Sequence, residues 1–253
     1  MIEKYYNGVI EQVAGGIGNV EHNSILVRYS NDFSIWDLES VNHYKDQTDI
    51  FFTCHEFSYN KIAEAYEPYL GLIRQMFHKY CSGTLEEFME ECDVYKLQRP
   101  VFESYFEKGF CERTEQILID EVEYEQERMR NSIVTMLQKL SEIRPVVIVL
   151  NRFQLASKST MQLSNSQLQV KNKNIGIVLG VNDVQSIPEF AHEEWDAICE
   201  SMDDRNMVYH IGNAGRNMEP DVMDYYSDYE SDDGYRKLNN LVYFLDFDQA
   251  DHH

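Results

Sequence analysis

The stretch 145–181, PVVIVLNRFQLASKSTMQLSNSQLQVKNKNIGIVLGV, holds two short apolar runs, PVVIVL at 145–150 and NIGIVLGV at 174–181, on either side of a Ser- and Gln-rich segment. Both runs are rich in β-branched residues and alternate little. That pattern fits strands covered on both faces, as in a parallel sheet. Working outward, three further runs of the same kind appear: SILVRY at 24–29, DIFFTC at 49–54 and NMVYHI at 206–211.

Helical patterns fill the intervals. Residues 33–44 read as one short helix. In 68–80, Leu72, Ile73, Met76, Phe77 and Tyr80 recur at helical spacing behind Pro68, a residue suited to a first turn. Thr84-Leu85-Glu86-Glu87 is a capping-box pattern for a helix over 85–92. A longer helix is expected over 121–143, with Met129, Ile133, Met136, Leu137 and Leu140 on one face, and another over 189–202. Strands alternating with helices imply right-handed crossovers and an α/β architecture with helices on both sides of the sheet. Residues 55–144 exceed what one crossover needs, so 66–110 reads as a helical insertion. Lys171-Asn172-Lys173 reads as a turn, and no internal repeat at a fixed period is found.

The chain has 253 residues, of which 43% are hydrophobic, enough for one large α/β domain with a full core. With 44 acidic and 22 basic residues the net charge is −22. This argues against nucleic acid and anionic membrane surfaces, which are bound through Lys and Arg. The five cysteines, Cys54, Cys81, Cys92, Cys111 and Cys199, are odd in number and contain no CxxC pair, so free thiols in a reducing cytoplasm are expected and zinc is not. No secretory leader is evident, and no apolar run approaches the ~18 residues of a membrane helix.

A nucleotide site in such a fold would follow the first strand, where a Gly-rich loop cradles phosphates, a Lys reaches them and a Ser or Thr holds Mg²⁺. Here SILVRY leads into Ser30-Asn31-Asp32-Phe33-Ser34-Ile35-Trp36, with no Gly and no Lys; Ile35 stands where Lys would and Trp36 where Ser or Thr would. Asp32 would repel a triphosphate. Gly15, Gly16 and Gly18 precede the strand and read as a turn. After the strand at 145–150 a metal site would have Asp; this chain has neutral Asn151 and then the cation Arg152. Asn182-Asp183 ends the strand at 174–181, where a polar residue can sense a γ-phosphate or simply start a turn. His55-Glu56 follows the second strand and could serve acid–base chemistry, though packing is the ordinary role of such a His. The acidic stretch with Asp224, Asp228, Glu230, Asp232 and Asp233 lacks EF-hand spacing and reads as a solvated loop.

The segment PVVIVLNRFQLASKSTMQL resembles the Walker-B region of STAND-class AAA-type P-loop ATPases. HEFSYNKIAEAYEPYLGLIRQMF resembles their post-P-loop segment, and the C-terminal NLVYFLDFDQADHH is similar to the entry helix of a tetratricopeptide array. The combination resembles the N-terminal domain of bacterial, notably clostridial, multidomain regulators that end in a GGDEF diguanylate cyclase or a transcriptional output domain. The resemblance implies a three-layer P-loop NTPase-like domain at 1–215 with a mostly parallel five-stranded sheet. It also implies an acidic linker at 216–234 and a tetratricopeptide-like helical segment at 235–253. If it holds, 24–29 lies centrally, 145–150 and 174–181 are neighbours, and 49–54 is at an edge. The Walker-A residues are absent and no GGDEF signature is present, so the expectation is a cytoplasmic regulatory or interaction domain, a pseudo-ATPase and not an enzyme. Its vestigial nucleotide site would comprise Ser30, Asn31, Asp32, Ser34, Asn151 and Asn182. No cofactor or metal is expected. The partners implied are a downstream helical or output domain or other proteins, with a homo-oligomer allowed. The competing expectation is a STAND-type switch that binds ATP and Mg²⁺ through an unorthodox site.

Overall fold

The computed structural model describes residues 2–18, 23–29, 33–45, 49–58, 63–109, 122–170, 172–182, 191–203 and 208–211. The expected linker at 216–234 and helical segment at 235–253, together with Ser30, Asn31, Asp32, Cys111 and Asp183, lie outside the described residues.

Four strands, β1 (Ser24–Tyr29), β2 (Phe51–Glu56), β3 (Val146–Asn151) and β4 (Ile175–Asn182), form a parallel ladder in the order β2-β3-β4-β1. The short β5 (Val208–Ile211) pairs parallel with the free side of β1. β3 and β4 are neighbours and β2 is an edge, as expected; β1 is interior but one strand in from the β5 edge, and β4 holds the centre. Every residue of β3 and β4 is buried, as is all of β1 except the half-buried Arg28. That is why those runs do not alternate: both faces of the sheet are covered. β2 is half-buried along its whole length, as suits an edge strand.

One face is packed by α1 (Ile2–Gly15), to which the sequence reading assigns no element. Tyr6, Val9, Ile10, Val13 and Ala14 recur at helical spacing and are almost wholly buried against β1, β3 and β4. The helix sits close because β4 presents glycine where it passes. A Cβ at Gly176 would strike Val13, and one at Gly180 would strike Tyr6 Oη and Asn151 Oδ1. Gly15 and Gly16 close this helix, and Gly18, at φ 97°, turns the chain toward β1.

The expected single helix over 33–44 is corrected. Ile35–Asp37 is one 3-10 turn, Leu38 is extended, and α2 covers Glu39–Lys45. Ile35, Leu38 and Val41, three apart, are all fully buried in the α1-side core. That spacing suits a 3-10 turn and a break better than a continuous α-helix. α7 (Lys158–Val170) and α8 (His192–Asp203) follow β3 and β4 and pack against each other.

Glu67–Arg144 forms a second compact unit that takes in α3 (Tyr69–Tyr80), α4 (Leu85–Glu91), α5 (Arg99–Lys108) and α6 (Val122–Ile143). It runs past the insertion read at 66–110 by the whole of α6. Its interior is aromatic, with Phe77 against Phe88 and Phe106 at centroid distances of 5.2 and 5.4 Å. The capping box is present: Thr84 Oγ1 accepts from the Glu87 N–H, and Glu87 accepts from the Thr84 N–H. At the C-terminal end of α5, Gly109 is left-handed (φ 83°). The Phe106 carbonyl there accepts from Arg74 Nε at 2.7 Å, which closes an open helix terminus with a cation.

Candidate functional site

Ligands of open parallel sheets bind outside the carboxyl ends of the strands. In this sheet the registers bring Glu56, Asn151 and Gly180 level with one another, and Tyr29 level with Asn182. Alternation places Cys54 and Glu56, Val149 and Asn151, Val27 and Tyr29, and Val178 and Gly180 on the α1 face, so a row of polar side chains ends the apolar core on that side.

Asn151 is the centre of the row and is fully buried. Its Oδ1 accepts from Tyr29 Oη at 2.8 Å, its Nδ2 donates to Glu56 Oε1 at 3.3 Å, and its backbone carbonyl accepts from the Phe57 N–H at 3.0 Å. Glu56 is also reached by Ser34 Oγ at 3.4 Å and by Arg152 Nε at 3.5 Å. These contacts to Glu56 are long, so they neutralise and orient the carboxylate more than they bond it tightly. Arg152 adopts a left-handed backbone (φ 54°) directly after β3, and Phe153–Leu155 then forms a 3-10 turn. Gln154 is fully buried and its Oε1 accepts from the Asn182 N–H at 3.3 Å, which ties the end of β4 to the β3–α7 connection.

Tyr6 completes the row from α1. Its ring lies edge-on to Tyr29 and Phe33, at 6.3 and 5.1 Å, and its hydroxyl is buried without a hydrogen-bond partner among the described residues. Burial pushes this phenol well above its ordinary range, helped by the neighbouring Tyr29, Glu56 and Cys54. Burial likewise pushes the Cys54 thiol up to about 11, with Glu56 adding to the shift and Lys45 opposing it. Neither group is an activated nucleophile or base at neutral pH.

The structure thus brings together Ser34 and Asn151, both through Glu56. Asn182 sits beside them as the last residue of β4, held through Gln154. Ser34 has a local task as well, since its Oγ accepts from the Trp36 N–H and caps the 3-10 turn. Ile35, in the position a phosphate-binding Lys would take, is fully buried, while Trp36 is 46% exposed with Lys45 Nζ 4.8 Å over its ring. The helix that follows, α2, is only seven residues long. His55 and Glu56 are corrected from a position after β2 to its last two residues. His55 packs edge-on to Phe57 at 4.5 Å, whereas Glu56 joins the polar row. Sequence reasoning missed Tyr6, Tyr29, Gln154 and the role of Glu56. A Tyr ending a buried strand was the available signal for Tyr29, and the helical period shared with Val9, Ile10 and Val13 was that for the burial of Tyr6; nothing local marks Gln154 or the role of Glu56.

Among the described residues of this row, Asn151 Oδ1 already accepts from Tyr29 and the Glu56 carboxylate is paired with the cation Arg152, so they present no uncommitted carboxylate to Mg²⁺. Among the described residues no three His, Cys, Asp or Glu gather as metal ligands, and no helix is long and apolar enough to cross a membrane. No family model, curated protein or solved structure matches this chain.

Proposed function

We propose that this chain is a regulatory or interaction domain built on a three-layer, P-loop NTPase-like scaffold whose nucleotide site has been replaced by internal contacts. The strand order supports the scaffold: β3 and β4 are adjacent and β2 is at an edge, as the likeness to STAND-class AAA-type ATPases implies. The observation that carries the functional reading is the state of Asn151. It stands where a metal-binding Asp would, and both ends of its amide are committed inside the protein, to Tyr29 and to Glu56. A group that must bind metal and change partners during a nucleotide cycle is here part of the core. On this reading the domain passes signals by binding proteins, in the manner of a bacterial multidomain regulator, with a downstream helical or output domain as its partner.

Titration with Mg·ATP, followed by thermal unfolding, is the test. Binding at a hundredfold above Kd would add about 2.7 kcal/mol of stability and raise Tm by several degrees. The expected result is no shift. A shift of that size, abolished by Ser34→Ala or Asn151→Ala, would overturn the reading. It would favour the second reading, a STAND-type switch with an unorthodox site, whose support is the convergence of Ser34, Glu56 and Arg152 at the carboxyl edge of the sheet.

A further inference from the structure

We propose that the outer edge of β2 pairs with the same strand of a second copy of this chain, joining two sheets across a two-fold axis. The proposal does not rest on the nucleotide-site reading.

The edge is defined by the ladder with β3. The Phe51 N–H donates to the Pro145 carbonyl at 2.7 Å, and the Phe57 N–H to that of Asn151 at 3.0 Å, across an unbroken register from Phe51↔Val146 to Glu56↔Asn151. In a parallel pair the N–H and C=O of one residue point to the same side, so Phe51, Thr53, His55 and Phe57 face β3. Phe52, Cys54 and Glu56 then turn their backbone groups outward, where no other described residue bonds them. Such a row of donors and acceptors is a template for another extended chain.

β2 carries none of the features that blunt an edge: its six residues include no Pro, no Lys and no Gly, and its register on β3 has no bulge. Its side chains are half-buried throughout, including Phe51, Phe52 and Cys54, as expected of a strand lacking a neighbour on one side.

A second copy fits this template. Antiparallel pairing about Cys54 sets Cys54 opposite its own equivalent and Phe52 opposite Glu56, so every outward N–H on each copy meets a carbonyl. No like charges face each other across that pairing. The single charge on the strand, Glu56, is turned onto Arg152 and Asn151 of its own chain. This matters in a chain of net charge −22, whose copies repel elsewhere; β2 is a place where that repulsion is locally cancelled.

Light scattering on the purified full chain across a dilution series is the test. The expected species at high concentration has twice the 29.8 kDa chain mass. Added NaCl should raise the dimer fraction, because it screens the repulsion between acidic copies. Cys54→Pro removes an outward N–H and leaves the β3 ladder intact, so it should yield a folded monomer. Cys54→Ser should leave the dimer but abolish its capture by a short bis-maleimide. If Cys54→Pro fails to fold, amide exchange on the natural chain decides: the Cys54 N–H should be protected only at high concentration. A monomer at every concentration and salt, a dimer untouched by Cys54→Pro, or a Cys54 N–H protected in dilute monomer would each overturn the proposal.

Discussion

The two compact units satisfy their polar groups in opposite ways. In Glu67–Arg144 the helix ends are closed by neighbours in sequence or by single long side chains: Thr84 with Glu87, Arg99 Nε with the Val94 carbonyl, Arg74 with the Phe106 carbonyl. In the sheet unit the polar groups at the strand ends are gathered into one row, and its bonded members, drawn from β1, the loop before α2, β2 and β3, depend on partners distant in the chain. Local closure tolerates change one residue at a time. A shared row does not, because replacing one member strands the others in a buried, weakly polar setting.

The sharpest way to break this comparison is Asn151→Asp. The change removes the donor to Glu56 and sets a second buried carboxylate beside it, so a loss of about 3 kcal/mol in urea unfolding is expected. Glu56→Gln should restore part of it, and Mg²⁺ should not. A neutral result for Asn151→Asp would mean that the row is hydrated and open, as in a working metal site.

Gly180→Ala should rank next, at about 2 kcal/mol, because its Cβ would collide with Tyr6 and Asn151 together. The loss should shrink in a Tyr6→Phe background, where the obstructing hydroxyl is gone.

The two tyrosines then sharpen the picture within the row. Tyr29→Phe leaves the buried Asn151 oxygen without its donor and should cost about 1.5 kcal/mol. Tyr6→Phe removes a hydroxyl with no partner among the described residues and should be neutral or stabilising by up to about 1 kcal/mol. Equal losses for the two would show that Tyr6 has a hydrogen bond of its own. For the local style of closure, Thr84→Ala should cost about 1 kcal/mol and leave the sheet unit's unfolding unchanged.

The last expected effect is nil at neutral pH and appears only in alkali. Burial raises the Cys54 thiol from 9.0 to about 11 and the Cys92 thiol from 9.0 to about 12. In the folded state both hold their protons more tightly than in the unfolded chain. Their contribution is therefore complete below pH 9 and is lost as pH climbs toward the folded values. Stability should decline through that window, and Cys54→Val with Cys92→Val should flatten the decline.

What was legible in the sequence follows the same division. The strands of the sheet announced themselves as unalternating apolar runs because burial on both faces leaves no room for polar residues, and the capping box was legible because both its members are three residues apart. The row at the carboxyl edge was half legible. Asn151, Ser34 and Asn182 could be placed by their positions after strands, but Tyr6 and Glu56 join them only through the register of β2 on β3 and the seating of α1, which no local pattern encodes. α1 itself was passed over although Tyr6, Val9, Ile10 and Val13 carry the period. The break at Leu38 was hidden because residues three apart serve a 3-10 turn and an α-helix alike.

The seating of α1 over Gly176 and Gly180 also sets a timetable for synthesis. β1 pairs only with β4 and β5, and the glycines that receive α1 belong to β4. α1 can meet α2 and β3 earlier, but the glycine seat that receives it and the β4 partner of β1 are missing until residues 175–182 have been made. At translation rates of about 5–20 residues per second, that delay is on the order of ten to thirty seconds. Through that interval the apolar face of α1 is incompletely covered and β1 lacks its β4 neighbour. A ribosome-associated chaperone would thus find its clients in α1 and β1, whose partners come late, more than in the helical unit, which is one continuous stretch of chain.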